Sequence, residues 1–124
     1  MTGLLLDSVI LIDHFNGVTA ATDYLRRNWT SASVSVITRA EVLTGFQAHR
    51  EALAKQLLDR FPTLPAGADD ADLAAAFRRQ YRWKLPDALQ AAIAVNRRLH
   101  LVTRNTRDFD PAHHAFVLIP YTVT

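Results

Sequence analysis

Apolar positions along the chain change their spacing several times, and each change marks an element. Gly3 to Leu6 is a short apolar run closed by Asp7, which reads as a strand, and Val9 to Phe15 continues at helical spacing until Asn16-Gly17 stops it. Val18 to Arg27 is weakly amphipathic, and Ser31 to Ile37 alternates small, β-branched and polar residues ahead of Thr38, as a second strand would. From Arg39 to Phe61 the residues Val42, Leu43, Phe46, Leu53, Leu57 and Leu58 recur at helical spacing with a break at Gln47 to Arg50, which predicts two antiparallel helices. Phe61-Pro-Thr-Leu-Pro is a brief extended piece. Ala66 to Asp70 is a loop offering Asp69 or Asp70 as N-cap to a helix over Ala71 to Tyr81. Pro86 opens the next helix, where a missing N–H does no harm, and Ala88, Ala91, Ala92, Val95 and Leu99 form its buried stripe. His100 to Thr103 and Ala115 to Ile119 are short apolar runs of the kind found in parallel strands covered on both faces. Strands alternating with helices predict an α/β fold of three layers: a central, mostly parallel, short-stranded sheet flanked by helices.

Composition narrows the chemistry. Residues 1–124 show no linker, repeat or low-complexity segment and read as one domain, long enough to bury about two thirds of its unfolded surface without a covalent staple. There is no cysteine, which excludes a disulfide framework, thiolate-bound zinc and thiol catalysis together. Apolar residues make up 49% of the chain, yet none of its apolar runs approaches the ~20 residues of a membrane span. The start, MTGLLLDSVILID, lacks the basic region and cleavage site of a signal peptide, so a soluble, cytoplasmic protein is expected. Net charge is +2, and the cations are nearly all arginine, Lys55 and Lys84 being the only lysines. Arginine forks match phosphate oxygens, although they serve equally as solvated helix faces.

The acids are placed to act together. In an open parallel sheet the ligand crevice lies beyond the carboxyl ends of the strands. Asp7 follows the first predicted strand, Glu41 sits one turn into the helix after the second, Asp87 begins the helix before His100, and Asn105 and Asp108 follow the strand that starts there. Each has a local explanation. Asp7 can cap a helix, Thr38-Arg-Ala-Glu41 is a capping box as written, Asp87 complements a helix dipole, and Asn105 to Asp108 can close a turn. As a set they mean more, because carboxylates converging on one rim repel each other unless a cation neutralises them. Oxygen ligands select Mg²⁺ or Mn²⁺, and such an ion activates water against a phosphodiester without a side-chain nucleophile. A phosphoacceptor-like enzyme with Asp7 as nucleophile wants a second acid next to it or two residues on, where this chain has Ser8 and Val9. Ser8 also lacks the Gly-x-Ser-x-Gly setting of a hydrolase elbow.

Four blocks, in order, carry a resemblance that runs nearly end to end: Leu4-Leu-Leu-Asp7-Ser8 with Ile12-Asp13, Ser35-Val-Ile-Thr-Arg-Ala-Glu41-Val-Leu-Thr-Gly45, Leu85-Pro-Asp87-Ala-Leu-Gln-Ala-Ala, and Leu101-Val-Thr-Arg-Asn105-Thr-Arg-Asp108-Phe109. With them the chain resembles a PIN-domain ribonuclease of the VapC toxin type. The resemblance implies a PIN-like fold and metal-dependent hydrolysis of RNA by the toxin of a toxin-antitoxin pair. It also implies a homodimer, a cognate antitoxin that occupies the acidic groove, and Mg²⁺ or Mn²⁺ as cofactor. Asp7, Glu41 and Asp87 are then the acidic triad, with Asp7 and Asp87 the direct metal ligands. At the fourth acidic place the chain has Asn105, so either that amide orients a metal-bound water or Asp108 supplies the charge. Val9 stands where a small hydroxyl residue is common, leaving Ser8 beside Asp7. The alternative is a PIN-like module that holds RNA or a protein partner without cutting.

Arg78-Arg-Gln-Tyr-Arg-Trp-Lys84 interleaves bases with aromatics just before Asp87, a pattern that suits stacking and phosphate contacts with RNA or, equally, a helix end whose rings fill a core. Ser8, Arg39, Tyr81, Arg82 and Arg104 are accordingly the expected substrate contacts. His14, His49, His100, His113 and His114 have no ligand-like spacing, and His113-His114 is expected in a solvent loop.

Overall fold

The structure, a computed structural model, describes residues 3–123; Met1, Thr2 and Thr124, at the ends of the expected domain, lie outside them. Its strands are β1 (Leu4–Leu6), β2 (Ala32–Ser35), β3 (Thr63–Leu64), β4 (His100–Val102) and β5 (Val117–Leu118). They form one sheet in the order β3-β2-β1-β4-β5, with every neighbouring pair parallel. The helices are α1 (Ser8–Phe15), α2 (Thr19–Asn28), α3 (Val36–Thr44), α4 (Glu51–Leu58), α5 (Ala68–Tyr81) and α6 (Leu85–Asn96), with a 3₁₀ turn at Ala48–Arg50 where the helical pattern breaks. The three-layer expectation holds, and the sheet proves parallel throughout.

Why the central strand reads Leu-Leu-Leu is visible in its neighbours. Leu4 and Leu6 join a core with Ile10, Leu11, Leu25, Val34, Val42 and Leu58 on one face, while Leu5 joins Leu101, Ile93, Phe109 and the alanines of α6 on the other. A strand covered on both faces has no polar side to alternate with. Ala88, Ala91, Ala92 and Ala94 let α6 approach the sheet and α5 closely. Gly17, with φ 81, makes the turn between α1 and α2 that only a residue without a Cβ adopts freely.

At three helix ends the structure departs from the sequence reading: side chains cap α3 and α5 elsewhere than expected, and backbone bonds close α6 early. α3 starts at Val36, since the Ser35 hydroxyl accepts from the N–H groups of Ile37 and Thr38, both at 3.1 Å. Ser35, not Thr38, is therefore the N-cap, and the expected Thr38–Glu41 capping box does not exist. α5 starts at Ala68 because Asp70, inside the first turn, reaches back to the Gly67 N–H at 2.9 Å rather than serving as the cap itself. α6 closes at Asn96, with Leu99 N–H bonding to Ala94 C=O and Arg98 N–H to Val95 C=O across a left-handed Arg98. Leu99 thus lies beyond the helix and Val95 is 37% exposed, while Gln90, Ile93 and Ala94 join the buried face because α6 packs on the sheet and on α5 at once. Among the described residues no helix is long and apolar enough to cross a membrane.

Candidate active site

Strand order places the site. The chain runs β1, β2, β3 toward one edge and then returns to lay β4 on the other side of β1, so the direction of winding switches between β1 and β4. Crevices open beyond the carboxyl ends of strands at such a point. Asp7 stands there, its N–H bonded to Val102 C=O at 2.9 Å. It caps α1 from extended backbone, accepting from the Ser8 N–H at 2.8 Å on Oδ1, and the Thr103 hydroxyl donates to Oδ2 at 2.7 Å. Gln90 Nε2 adds a longer contact to Oδ1 at 3.4 Å. Asp7 is both a helix cap and a member of the acidic rim.

The other acids arrive from separate elements. Glu41 lies on α3; desolvation raises its pKa and the Asp7 charge adds to this, against a hydrogen bond from Ser8. With the capping box gone, no helix-end role accounts for this glutamate. Asp87 lies in the first turn of α6 behind Pro86. Burial pushes its carboxyl up to about 6, followed by the charges of Asp7, Asp108 and Glu41, while Lys84 pulls the other way. Four acids thus share one electrostatic environment.

Asn105 and Asp108 form a reciprocal pair in the turn after β4. Asn105 Nδ2 donates to Asp108 Oδ2 at 3.0 Å, the Asp108 N–H donates back to Asn105 Oδ1 at 3.3 Å, and Trp83 Nε1 holds the Asp108 carbonyl at 3.1 Å. Asp108 carries the charge felt at Asp87, and Asn105 fixes its carboxylate. Among the described residues no three His, Asp or Glu side chains gather closely enough to chelate one ion alone.

The expected substrate contacts divide. Ser8 binds Glu41, as above, and so stays at the rim. Tyr81 is 38% exposed but stacks on Trp83, with ring centroids 4.6 Å apart. Arg82 is exposed and left-handed, with φ 60, at the end of α5. Arg39 instead pairs with Asp59 at 2.9 Å. Arg104 turns its fork onto Asp13, with Nε to Oδ2 at 2.6 Å and Nη2 to Oδ1 at 2.9 Å, and the Tyr121 hydroxyl joins at 2.9 Å. The Arg104 hydrogen bonds hold the Asp13 carboxyl below the usual carboxylate range. Arg104 therefore braces the turn carrying Asn105 and Asp108 against α1. In the basic stretch, Trp83 is a core residue, 4% exposed, and His114 packs edge-on against Tyr81 and Trp83 rather than lying in solvent.

Sequence reasoning passed over the polar residues behind the acids: Ser35, Thr38, Gln90, Thr103 and Asp13. Gln90 left a signal, being an amide one turn after Asp87 on a face otherwise built of alanine.

Known proteins share this fold. The PIN domain family model matches residues 4–113. Ribonuclease VapC10 of Mycobacterium tuberculosis is 34% identical over 113 residues, which span 86% of this chain and 85% of the relative. A toxin-antitoxin complex from Klebsiella pneumoniae contains a chain with 36% identity and a TM-score of 0.89, covering 98% of this chain and 100% of that one. FitAcB from Neisseria gonorrhoeae has the same fold at 22% identity, with a TM-score of 0.78 and coverage of 97% and 99%. With its acids at the switch point of a parallel sheet and a match through most of its length, the chain belongs to the PIN domain family.

Proposed function

We propose that the protein is a divalent-metal-dependent ribonuclease acting as the toxin of a toxin-antitoxin pair, with Asp7, Glu41, Asp87 and Asp108 as its working acids. The observation that carries the proposal is the convergence on Asp87: burial first, and then the charges of three other carboxylates from three other elements, push its carboxyl up to about 6. A fold retains such repulsion when a cation relieves it in use. The donor set is all oxygen, which fits Mg²⁺ or Mn²⁺, and Mg²⁺ keeps several waters and takes one or two carboxylates, so a closed protein cage is not required.

Asp7 and Asp87 are the residues that would hold the ion. A bound divalent ion supplies Lewis acidity toward a phosphodiester and a lowered pKa for water. The chain's own groups do the rest. Thr103 and the Ser8 N–H fix the Asp7 carboxylate, Ser8 orients Glu41, and Asn105 holds Asp108 toward the rim. Tyr81 and Arg82, at the end of α5, supply an exposed ring edge and a cation for an RNA strand. The relatives' toxin-antitoxin assemblies support a cognate antitoxin as partner, and family resemblance supports a homodimer working in the cytoplasm.

The test is incubation of the purified protein with single-stranded RNA in Mg²⁺ or Mn²⁺, beside an EDTA control and the Asp7→Asn variant. Metal-dependent fragments, absent in EDTA and in Asp7→Asn, are expected. RNA that is bound but left intact in either metal would favour a non-cleaving binding module.

A further inference from the structure

Gln90 is 1% exposed at the centre of α6, and its amide has polar partners on several sides. Oε1 accepts from the Ser35 hydroxyl at 2.5 Å, while Nε2 donates to Thr38 Oγ1 at 2.6 Å and toward Asp7 Oδ1 at 3.4 Å. The direction of every bond is determined. Thr38 donates its own proton to the Leu6 carbonyl at 3.0 Å, so it can only accept from Gln90, which makes the atom facing Thr38 and Asp7 the NH₂ end. Ser35 accepts from two N–H groups of α3 and donates its proton to Gln90. A flipped amide would set a carbonyl oxygen against a carboxylate. Among the described residues no buried side-chain nitrogen or oxygen lacks a partner, so the network is closed.

The elements it joins are those that carry the acids. β1 ends at Leu6 with Asp7 directly after it, Thr38 precedes Glu41 by one turn of α3, and Gln90 follows Asp87 by one turn of α6. We propose that Gln90 is a positioning residue that sets the spacing of Asp7, Glu41 and Asp87 for a divalent ion, through a neutral amide that links β1, α3 and α6. The inference rests on the metal-site reading above. A neutral group is required by the surroundings: glutamate would add an acid to a crowded rim and lose the donors facing Thr38 and Asp7, and an apolar side chain would leave Ser35, Thr38 and Asp7 each short of a partner.

The experiment is calorimetric titration of the purified protein with Mn²⁺, together with thermal unfolding and kcat and KM on single-stranded RNA. Variants are Gln90→Met, Thr38→Val, which removes only the bridging hydroxyl, and Ile93→Val as a buried control on the same helix. Gln90→Met is expected to weaken Mn²⁺ at least tenfold and to lower kcat more than KM. Thr38→Val should move both in the same direction by a smaller factor and decides the matter if Gln90→Met does not fold. Ile93→Val should lower the melting temperature while leaving the Mn²⁺ affinity within twofold. Wild-type Mn²⁺ affinity in folded Gln90→Met, or in Thr38→Val, would overturn the inference alone, as would losses that track melting temperature across all variants. Wild-type protein that takes up no Mn²⁺ would overturn the metal reading and this inference with it.

Discussion

Asp87→Asn tests the electrostatic argument directly, because it removes one charge and leaves the shape. A carboxyl moved from 3.8 to about 6 carries about 3 kcal/mol of unfavourable energy in its ionised form. Solvent on the open side of the residue reduces this to about 1–2 kcal/mol, and the lost attraction to the N-terminus of α6 offsets a further few tenths. The direction with pH follows from linkage. The folded protein holds a proton on Asp87 more tightly than the unfolded chain, so stability falls as pH rises from about 4 to about 6 and the full penalty stands at neutral pH. Without divalent metal, Asp87→Asn should therefore be more stable than wild type by about 1 kcal/mol at pH 7.5, a rise of about 4 °C in melting temperature, and no more stable at pH 4. Adding Mg²⁺ or Mn²⁺ should raise the melting temperature of wild type and leave the variant in place, and RNA cleavage should disappear. Urea unfolding at the two pH values measures the first effect, and calorimetry with metal the second. A variant less stable at pH 7.5, or stabilised equally at both pH values, would refute the repulsion, and wild-type cleavage would remove Asp87 from the active site.

Other expectations follow from neighbouring features. Asp13→Asn should cost about 3 kcal/mol by stripping Arg104 of its buried partner. Because Arg104 lowers the Asp13 pKa, the stability at stake is present above about pH 4 and disappears as pH falls through the lowered value, so the variant's unfolding should be less steep in acid. Arg98→Gly should stabilise by about 0.5–1 kcal/mol, since φ 57 after α6 is a left-handed conformation that a residue with a Cβ adopts at a cost; thermal unfolding reads it. Phe109→Ala, at a site with 0% exposure, should cost about 3–5 kcal/mol in urea unfolding. Light scattering at micromolar concentration should show a dimer.

Strands, helices and the acidic rim were legible because they depend on local spacing. Asp7 sits just past β1, Glu41 on the helix after β2, Asp87 at the start of α6 and Asp108 in the turn after β4, and the parallel α/β rule sends such positions to one side. Caps were misread where two hydroxyls stand close together: Ser35 and Thr38 both fit the cap pattern, and in the fold Ser35 caps α3 while Thr38 turns to Leu6 and Gln90. Arg104 was misassigned for a related reason. Its sequence neighbours are site residues, but its partner Asp13 lies far away in the chain, and nothing local records that pairing. Trp83 likewise reads as an RNA-stacking ring until Phe77 and Phe109 are found packed against it.

The strand order also governs when activity can exist. β1, translated first, occupies the middle of the sheet, and one of its two sides stays empty until β4 has been made and has crossed back to it. The Thr103 hydroxyl and the Asn105–Asp108 turn come with β4. A chain emerging from the ribosome therefore presents Asp7 and Glu41 early but holds no assembled rim through most of its synthesis. Long-range parallel pairing of this kind is slow to form. Under the proposed ribonuclease function, that order leaves the nascent chain without a working site until the last strands dock.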